Sequence, residues 1–441
     1  MTGVPLVFAD LVLILVLARL CGAVALRLGQ PPVIGEIVAG LLLGPTLFHG
    51  AVAGTLVPAA ARPTLSALAD VGVALFMFAV GFELDHAHLR RATGSAIGLS
   101  VVSTLLPLGL GAGLGVVLIG GQHPRSPLGF VLFLGAAMAV TAFPVLARIL
   151  TDRRLQHTAL GRLALATASM SDVLAWSLLT VVAAIAQPAG AGPWRLLLVV
   201  PFVAALVALR PVLRWALWRE RGDRARRVPA DRLTVVFVGV LAAGWITEFL
   251  GLHLIFGAFL FGALLPRGDS AGARAELAGY ADKIGKLLLP VYFVVAGLQV
   301  DLSGVGAAGI LTFGLILLVA VTGKFGGGFL GGRLVGLDTR DALGMGALMN
   351  TRGLTELVVL SVGLQLGVLS GALYSMMVVM AIVTTAMTGP LLSLLGIGEP
   401  GSLPDTGNLR AAGTGRSRAN RWSRRSPGPR RTVHFGPRAG R

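Results

Sequence analysis

The chain has 441 residues, 55% of them hydrophobic and 13% charged, with a formal net charge of +17 and a mean hydropathy of +0.82. A water-soluble domain covers its surface with roughly twice that charged fraction, so the composition excludes a soluble globular fold. The positive charge does not point to nucleic acid either: of the 37 cations all but Lys283, Lys286 and Lys324 are Arg, and most sit in short loops and a terminal tail.

Apolar stretches long enough to cross a bilayer, about 20 residues, are predicted at 6–27, 33–49, 65–84, 95–120, 128–150, 159–186, 194–217, 231–249, 253–267, 281–300, 307–333, 341–369 and 371–395. This is an all-α membrane protein of thirteen transmembrane helices. The first stretch has no basic segment before it and no cleavage site after it, so it is read as an uncleaved span. The 61 glycines suit helices that must approach closely in lipid. The lone Cys21 excludes an internal disulfide and reads as small apolar filler.

The loops test the count. Odd-numbered loops carry Arg27; Arg90 and Arg91; Arg148, Arg153, Arg154 and Arg162; the cluster Arg219 to Arg227; Arg267, Arg274, Lys283 and Lys286; and Arg333 with Arg340. Even-numbered loops carry little beyond Arg62, Arg125 and Arg195. By the positive-inside rule this puts the N-terminus outside and the C-terminus in the cytoplasm, in the cell (plasma or inner) membrane. An even number of spans would break the alternation. Residues 1–395 form the membrane domain. Residues 396–441 are rich in Pro, Gly, Ser and Arg without apolar periodicity, and are expected to be a basic, disordered cytoplasmic tail. No glycine-rich nucleotide fingerprint follows a strand, and no cofactor is expected.

Two halves of the chain echo each other. Ile34 to Gly40, followed by Leu41 to Pro45, matches Phe256 to Gly262, followed by Ala263 to Pro266. Phe76 to Gly81, then Asp85, matches Tyr292 to Gly297, then Asp301. The offset is seven spans. Because seven is odd, matching helices cross the membrane in opposite senses: an inverted repeat of six helices each around a linking seventh, as in many secondary transporters.

Charges near the middle of spans are costly and functional by default. Asp172 stands at the centre of the sixth span and can hold a proton or a bare cation, but not comfortably both. Lys324 lies in the eleventh span among glycines, as a partner for Asp172 or as a fixed countercharge. Arg352 in the twelfth cannot readily shed its proton and reads as an orienting or dipole-compensating charge. The fifth and twelfth spans look broken, at Thr141-Ala142-Phe143-Pro144 and at Asn350-Thr351-Arg352-Gly353. Pro removes an intrahelical hydrogen bond, and the freed carbonyls with the Thr hydroxyls suit a dehydrated monovalent cation. Glu36, early in a Gly-rich helix, Glu83, Asp85 and Glu356 are secondary candidates. His86 and His88 are read as solvated rim residues. The seven His show no metal-ligand spacing.

Met138 to Leu150, Ser171 to Trp176, Gly323 to Gly328 and Met349 to Leu357 together resemble the second branch of the monovalent cation:proton antiporters, over about residues 5–395 in order. Bacterial Na+ or K+/proton exchangers and plant endomembrane exchangers belong there. The resemblance implies the sodium/proton antiporter-like fold, with crossed discontinuous helices in spans five and twelve. It also implies a core domain moving against a dimerisation domain, hence a homodimer. Asp172 would be the ion-carrying carboxylate, Lys324 its basic partner, and Thr141 a ligand at the first break. Electrogenic relatives carry two adjacent acids on the sixth span, whereas Ser171 precedes Asp172 here. A single carboxylate, flanked by Ser171, implies electroneutral one-for-one exchange of a cation, Na+ or K+, for a proton. Two other readings share the scaffold: a cation channel or efflux pathway, and a cation-coupled carrier of an organic solute. An enzyme is not expected, because no nucleophile-base pair or metal set appears at membrane depth.

Overall fold

The computed structural model describes residues 4–46, 54, 56–58, 60–83, 94–122, 124, 126–186, 198–218, 230–250, 253–266 and 271–398. The arginine cluster 219–227, the tail beyond 398, and Asp85, His86, His88, Arg90 and Arg91 lie outside those residues, as do the side chains of Glu83 and Pro144. Among the described residues there are fifteen helices of ten residues or more and no strand. In chain order they are α1 Val4–Arg27, α2 Pro32–Leu43, α3 Arg62–Glu83, α4 Gly94–Gln122, α5 Pro127–Ala139, α6 Phe143–Asp152, α7 Ala159–Ala186, α8 Val199–Trp218, α9 Ala230–Phe249, α10 Leu254–Leu264, α11 Ala271–Leu298, α12 Ala307–Leu334, α13 Thr339–Met349, α14 Leu354–Gln365 and α15 Gly371–Leu394. The thirteen predicted spans account for all of them. The fifth is split into α5 and α6 and the twelfth into α13 and α14, as the sequence leads one to expect. Seven helices (α1, α3, α4, α8, α9, α12 and α15) are each long and apolar enough to cross a membrane.

Local chemistry sets several boundaries. Pro occupies the first turn of α2, α5 and α6, where its missing N–H costs nothing. Ser126, Asp338 and Ser370 cap α5, α13 and α15 by accepting from Gly129 N at 3.1 Å, Asp341 N at 2.7 Å and Leu373 N at 3.3 Å. The N-termini of α6 and α14 carry no side-chain cap, at Ala142 and Gly353. These two ends lie inside the bundle, and their free N–H groups belong to the site below. On α1, Phe8, Val12, Val16, Leu20 and Val24 are exposed at four-residue spacing. Such a stripe is tolerable only against lipid.

The loops sort by parity. Gln30, after α1, donates to Ala386 O of α15 at 3.4 Å. Arg153, after α6, donates to Gly389 O at 2.7 Å and Ser393 Oγ at 3.0 Å. Arg340, at the start of α13, donates to Leu395 O at 2.8 Å and Gly396 O at 2.7 Å. The first, fifth and eleventh loops and the end of α15 therefore share one end of the bundle. At the other end, Thr46 after α2 donates to Val300 O at 2.8 Å, and Asp301 N donates to Ser375 Oγ at 2.9 Å. Ser370 there bonds Gln122 at 2.7 Å. The second, fourth, tenth and twelfth loops meet there, which an odd span count requires.

Helix packing forms two lobes: α1–α3 with α8–α11, and α4–α7 with α12–α15. Close approach at glycine builds both. In the first lobe, a Cβ on Gly40 would stand 2.8 Å from the Gly297 Cα and against Val294 O. On Gly262 it would stand 3.0 Å from Phe82 N and against Phe78 O. Gly40 corresponds to Gly262, and Val294 to Phe78, under the sequence repeat. The α2–α11 contact is thus the repeat image of the α10–α3 contact, with the same backbone carbonyl position nearest in each. In the second lobe, a Cβ on Gly323 or Gly327 of α12 would stand 2.9 Å from Pro107 Cα or 3.1 Å from Ser103 Cα of α4, and one on Gly328 2.9 Å from Gly346 Cα of α13. A branched side chain at such a backbone-to-backbone seam must separate the helices. Gly262→Val is expected to lower the thermal midpoint of the detergent-solubilised protein by several degrees, from overpacking of about 1–3 kcal/mol or more. An unchanged midpoint would show that the seam is slack.

Candidate ion-binding site at the crossed helix breaks

The two breaks cross and are tied together. Ala142 N donates to Thr351 O at 3.2 Å, and Thr355 Oγ1 reaches Thr141 O at 3.4 Å. Breaking a helix inside a membrane leaves carbonyls at its C-terminal side and N–H groups at the next N-terminal side, with no water to satisfy them. Here the two sets are handled by different means.

The C-terminal end of α5 is met by cations. Arg352 donates to Ala137 O at 3.2 Å and Met138 O at 3.1 Å, and Lys324 Nζ donates to Ala139 O, the next carbonyl in line. Three consecutive carbonyls carrying the negative end of the helix dipole thus meet two fixed positive charges, the favourable arrangement. Lys324 also donates to Thr141 Oγ1 at 2.6 Å. Both cations are fully buried. At the end of α13, among the described residues, hydroxyls stand in place of cations: Thr351 Oγ1 donates to Leu348 O at 2.8 Å and Thr388 Oγ1 to Ala347 O at 3.2 Å.

Arg352 is also paired with Glu356, one turn along α14, both without solvent exposure. The carboxylate sits in the first turn of α14, where it complements the positive helix end. Asn350 donates through Nδ2 to Thr384 O at 3.2 Å, and Thr385 Oγ1 bonds the Arg352 backbone at 2.8 and 3.0 Å. Glu356, a secondary candidate in the sequence, is therefore neutralised by a dedicated partner.

Asp172, thirteen residues into α7, is 5% exposed, and its Oδ1 has no hydrogen-bond partner. The Phe143 N–H at the uncapped start of α6 faces the carboxylate, so the positive end of that helix is directed at it. Lys324 is near enough to interact electrostatically, yet its hydrogen bonds go to Ala139 and Thr141. Of the two sequence readings for Lys324, this geometry is that of a fixed countercharge. Thr141, read as a ligand, is occupied by that ammonium. Ser171 Oγ accepts from Thr104 on α4 at 3.3 Å and is turned towards α4. Asn350 Oδ1 is the other buried side-chain oxygen at the breaks without a partner. One turn beyond Asp172, Trp176 stacks on Phe259 and meets Phe256 edge to face, both of α10, with ring centroids 6.2 and 6.1 Å apart, which sets this face of α7 against the other lobe. Glu36, half-buried on α2 beside Gly22, belongs to the first lobe. No group of three His, Cys, Asp or Glu that could hold a metal occurs among the described residues.

Two acidic residues inside spans escaped the sequence reading. Asp10 on α1 is 2% exposed, with Oδ2 unpartnered, and Asp70 is half-buried on α3. The rule that a charge within a span is a functional candidate would have found both.

With this geometry in hand, similarity to known proteins is specific. Residues 12–397 match the family described as sodium/hydrogen exchanger, transmembrane. The Na(+)/H(+) antiporter NhaS4 of Synechocystis sp. is 39% identical over 397 residues, covering 88% of this chain and 96% of that protein. Cation/H(+) antiporter 20 of Arabidopsis thaliana is 36% identical over 405 residues, covering 88% of this chain but 48% of the plant protein, so the chain spans about half that relative's length. In structure, the chain is similar to the sodium proton antiporter MjNhaP1 of Methanocaldococcus jannaschii at pH 8, with a TM-score of 0.58 at 16% identity, covering 88% of this chain and 96% of that one. That likeness concerns the fold alone. An all-helical bundle of this architecture, with sequence identity across the whole membrane domain, makes the chain a transporter and not an enzyme. It belongs to the sodium/hydrogen exchanger family.

Proposed function

We propose that the protein exchanges a monovalent cation, K+ or Na+, for protons across the cell membrane, one for one, with Asp172 as the group that carries either ion. The observation that supports this most directly is the state of that carboxylate: buried, one oxygen unpartnered, and facing the N-terminal end of α6. An uncompensated buried charge costs at least a few kcal/mol, and binding either a proton or a cation removes the cost. Because one ion displaces the other, the two fluxes are coupled in opposite directions. Asn350 Oδ1 and the remaining lone pair of Thr141 Oγ1 serve as neutral ligands for the cation, and Ser171 holds α7 against α4 beside it. Lys324 and Arg352 hold the break open by neutralising the end of α5.

Electroneutrality follows from counting carriers. Ser171 stands where a second acid would give an additional proton site, and Glu356 is committed to Arg352. Each cycle then moves one charge each way. The arginine distribution supports an outside N-terminus and a cytoplasmic C-terminus, with the basic tail 396–441 on the cytoplasmic side, and the protein works as a homodimer.

The test is proton flux in proteoliposomes with Na+ and K+ added in turn, at zero and at imposed membrane voltage. Cation-driven proton movement at the same rate under both conditions is expected. A rate that follows the voltage would overturn the one-for-one stoichiometry, and cation current without proton movement would make the protein a channel.

A further inference from the structure

Away from Asp172, at the bundle end where the even-numbered loops meet, a polar cavity of about 40 Å³ lies between the two lobes. Asp70 of α3, His253 at the start of α10, Tyr292 and Gln299 at the end of α11, and Ser361 and Gln365 of α14 line it. Three of those elements belong to the first lobe, whereas α14 belongs to the second. The lobes are joined here by the Tyr292 hydroxyl, which donates to Ser361 Oγ at 3.2 Å.

The electrostatics of this cavity are one-sided. No Lys or Arg is among its lining residues, and the charged group that acts on Asp70 is another carboxylate, Glu248 at the end of α9. Among the described residues, Glu248 in turn accepts from a neutral donor, Leu254 N at 2.9 Å. In the second lobe the buried carboxylates each have a counterpart, a guanidinium for Glu356 and a helix end for Asp172. Asp70 shares the cavity with neutral oxygens and the His253 ring and faces a like charge, which is a site lacking its cation. The dimensions suit one. Each water-sized occupant needs about 10–15 Å³ measured in this way, so the cavity takes a small ion with one or two waters. Serine and tyrosine hydroxyls and glutamine carbonyls are the hard oxygen donors that alkali cations accept.

Position links the cavity to the exchange site. α14 starts at the break, at Gly353, and runs directly to the cavity: Ser361 and Gln365 lie eight and twelve residues on, about 12 and 18 Å along the axis. We propose that this cavity is a second cation site, a staging site on the outer side, where the Asp70 carboxylate and the surrounding oxygens hold a partly dehydrated alkali cation on its way to or from Asp172. The inference rests on the exchange function proposed above for its cargo, but its direct test does not depend on transport.

Thallium(I), an electron-dense substitute for K+, is the probe. In structures of the full chain determined in a thallium salt, density is expected in the cavity beside Asp70. It should persist in Asp172→Asn and vanish in Asp70→Asn, a substitution of nearly equal shape. Proteoliposomes give the second readout: Asp70→Asn is expected to lower cation kcat/KM about tenfold in both transport directions, the lower range of what a focused local charge contributes. Should Asp70→Asn fail to fold, the wild-type thallium structure still decides. An empty cavity beside an occupied Asp172 overturns the staging site while the exchange reading stands, and shows Asp70 to be held as a neutral acid. Thallium at Asp70 in a protein that exchanges nothing leaves the site standing and removes the proposed function instead.

Discussion

Asp172→Asn is expected to reduce cation-driven proton flux to that of protein-free liposomes, while the thermal midpoint stays at or above that of the wild type. The two halves of this result have one cause. In the folded protein the Asp172 carboxyl is 5% exposed with Oδ1 unpartnered, so its ionised form is disfavoured by the bundle and tolerated for what it binds. Asn has nearly the same shape and removes the charge. It also removes the group on which proton and cation compete, and no other carboxylate replaces it, since Glu356 is locked to Arg352. Gain of stability with loss of function is the signature of a site kept under strain for its task. Purified protein assayed by thermal unfolding and proteoliposomes assayed by a pH-sensitive dye supply both numbers. Transport at the wild-type rate in Asp172→Asn would remove Asp172 from the mechanism altogether.

Lys324→Met is expected to act in the opposite way, lowering both stability and transport. Met keeps most of the buried stem and loses the ammonium, so packing is largely preserved and the hydrogen bonds are removed together with the charge. Ala139 O and Thr141 Oγ1 then face a dry interior without their donor. Orphaned acceptors cost about 1–3 kcal/mol each, less where lipid-embedded helices find new partners, so the expected loss is on the order of 1–4 kcal/mol. Transport falls because the break between α5 and α6 is where Asp172 finds its helix end, and an unheld α5 terminus shifts that end. A Lys324→Met protein as stable and as active as the wild type would mean that Arg352 alone compensates the terminus. Loss of transport at unchanged stability would instead assign Lys324 a direct part in ion exchange.

Much of this was legible in the amino-acid order. Span positions follow from runs of apolar residues that lipid requires to be about 20 long. Their parity follows from where arginines can stay. The loops around Gln30, Arg153 and Arg340 gather at one end, and those around Thr46, Gln122 and Asp301 at the other, as that reading demands. The inverted repeat was visible because close helix approach permits only glycine, and Gly40 and Gly262 are fixed by the same kind of backbone neighbour. The breaks were visible because Pro, Asn and Gly interrupt an apolar helix in few ways. Asp172, Lys324 and Arg352 stood out because a charge in hydrocarbon is too costly to be incidental.

Pairing was decided only in three dimensions. Nothing in the spacing of Lys324 and Arg352, on helices far apart in sequence from α5, shows that both serve the carbonyls of Ala137, Met138 and Ala139. Equally, nothing in the spacing shows that Lys324 bonds Thr141 and not Asp172, or that Asp70, His253 and Gln365 share a cavity. Hydropathy and charge placement are properties of each segment against its solvent, so they can be read from the chain alone. Which donor meets which acceptor depends on where two broken helices cross, and that is fixed by glycine seams between helices remote in sequence.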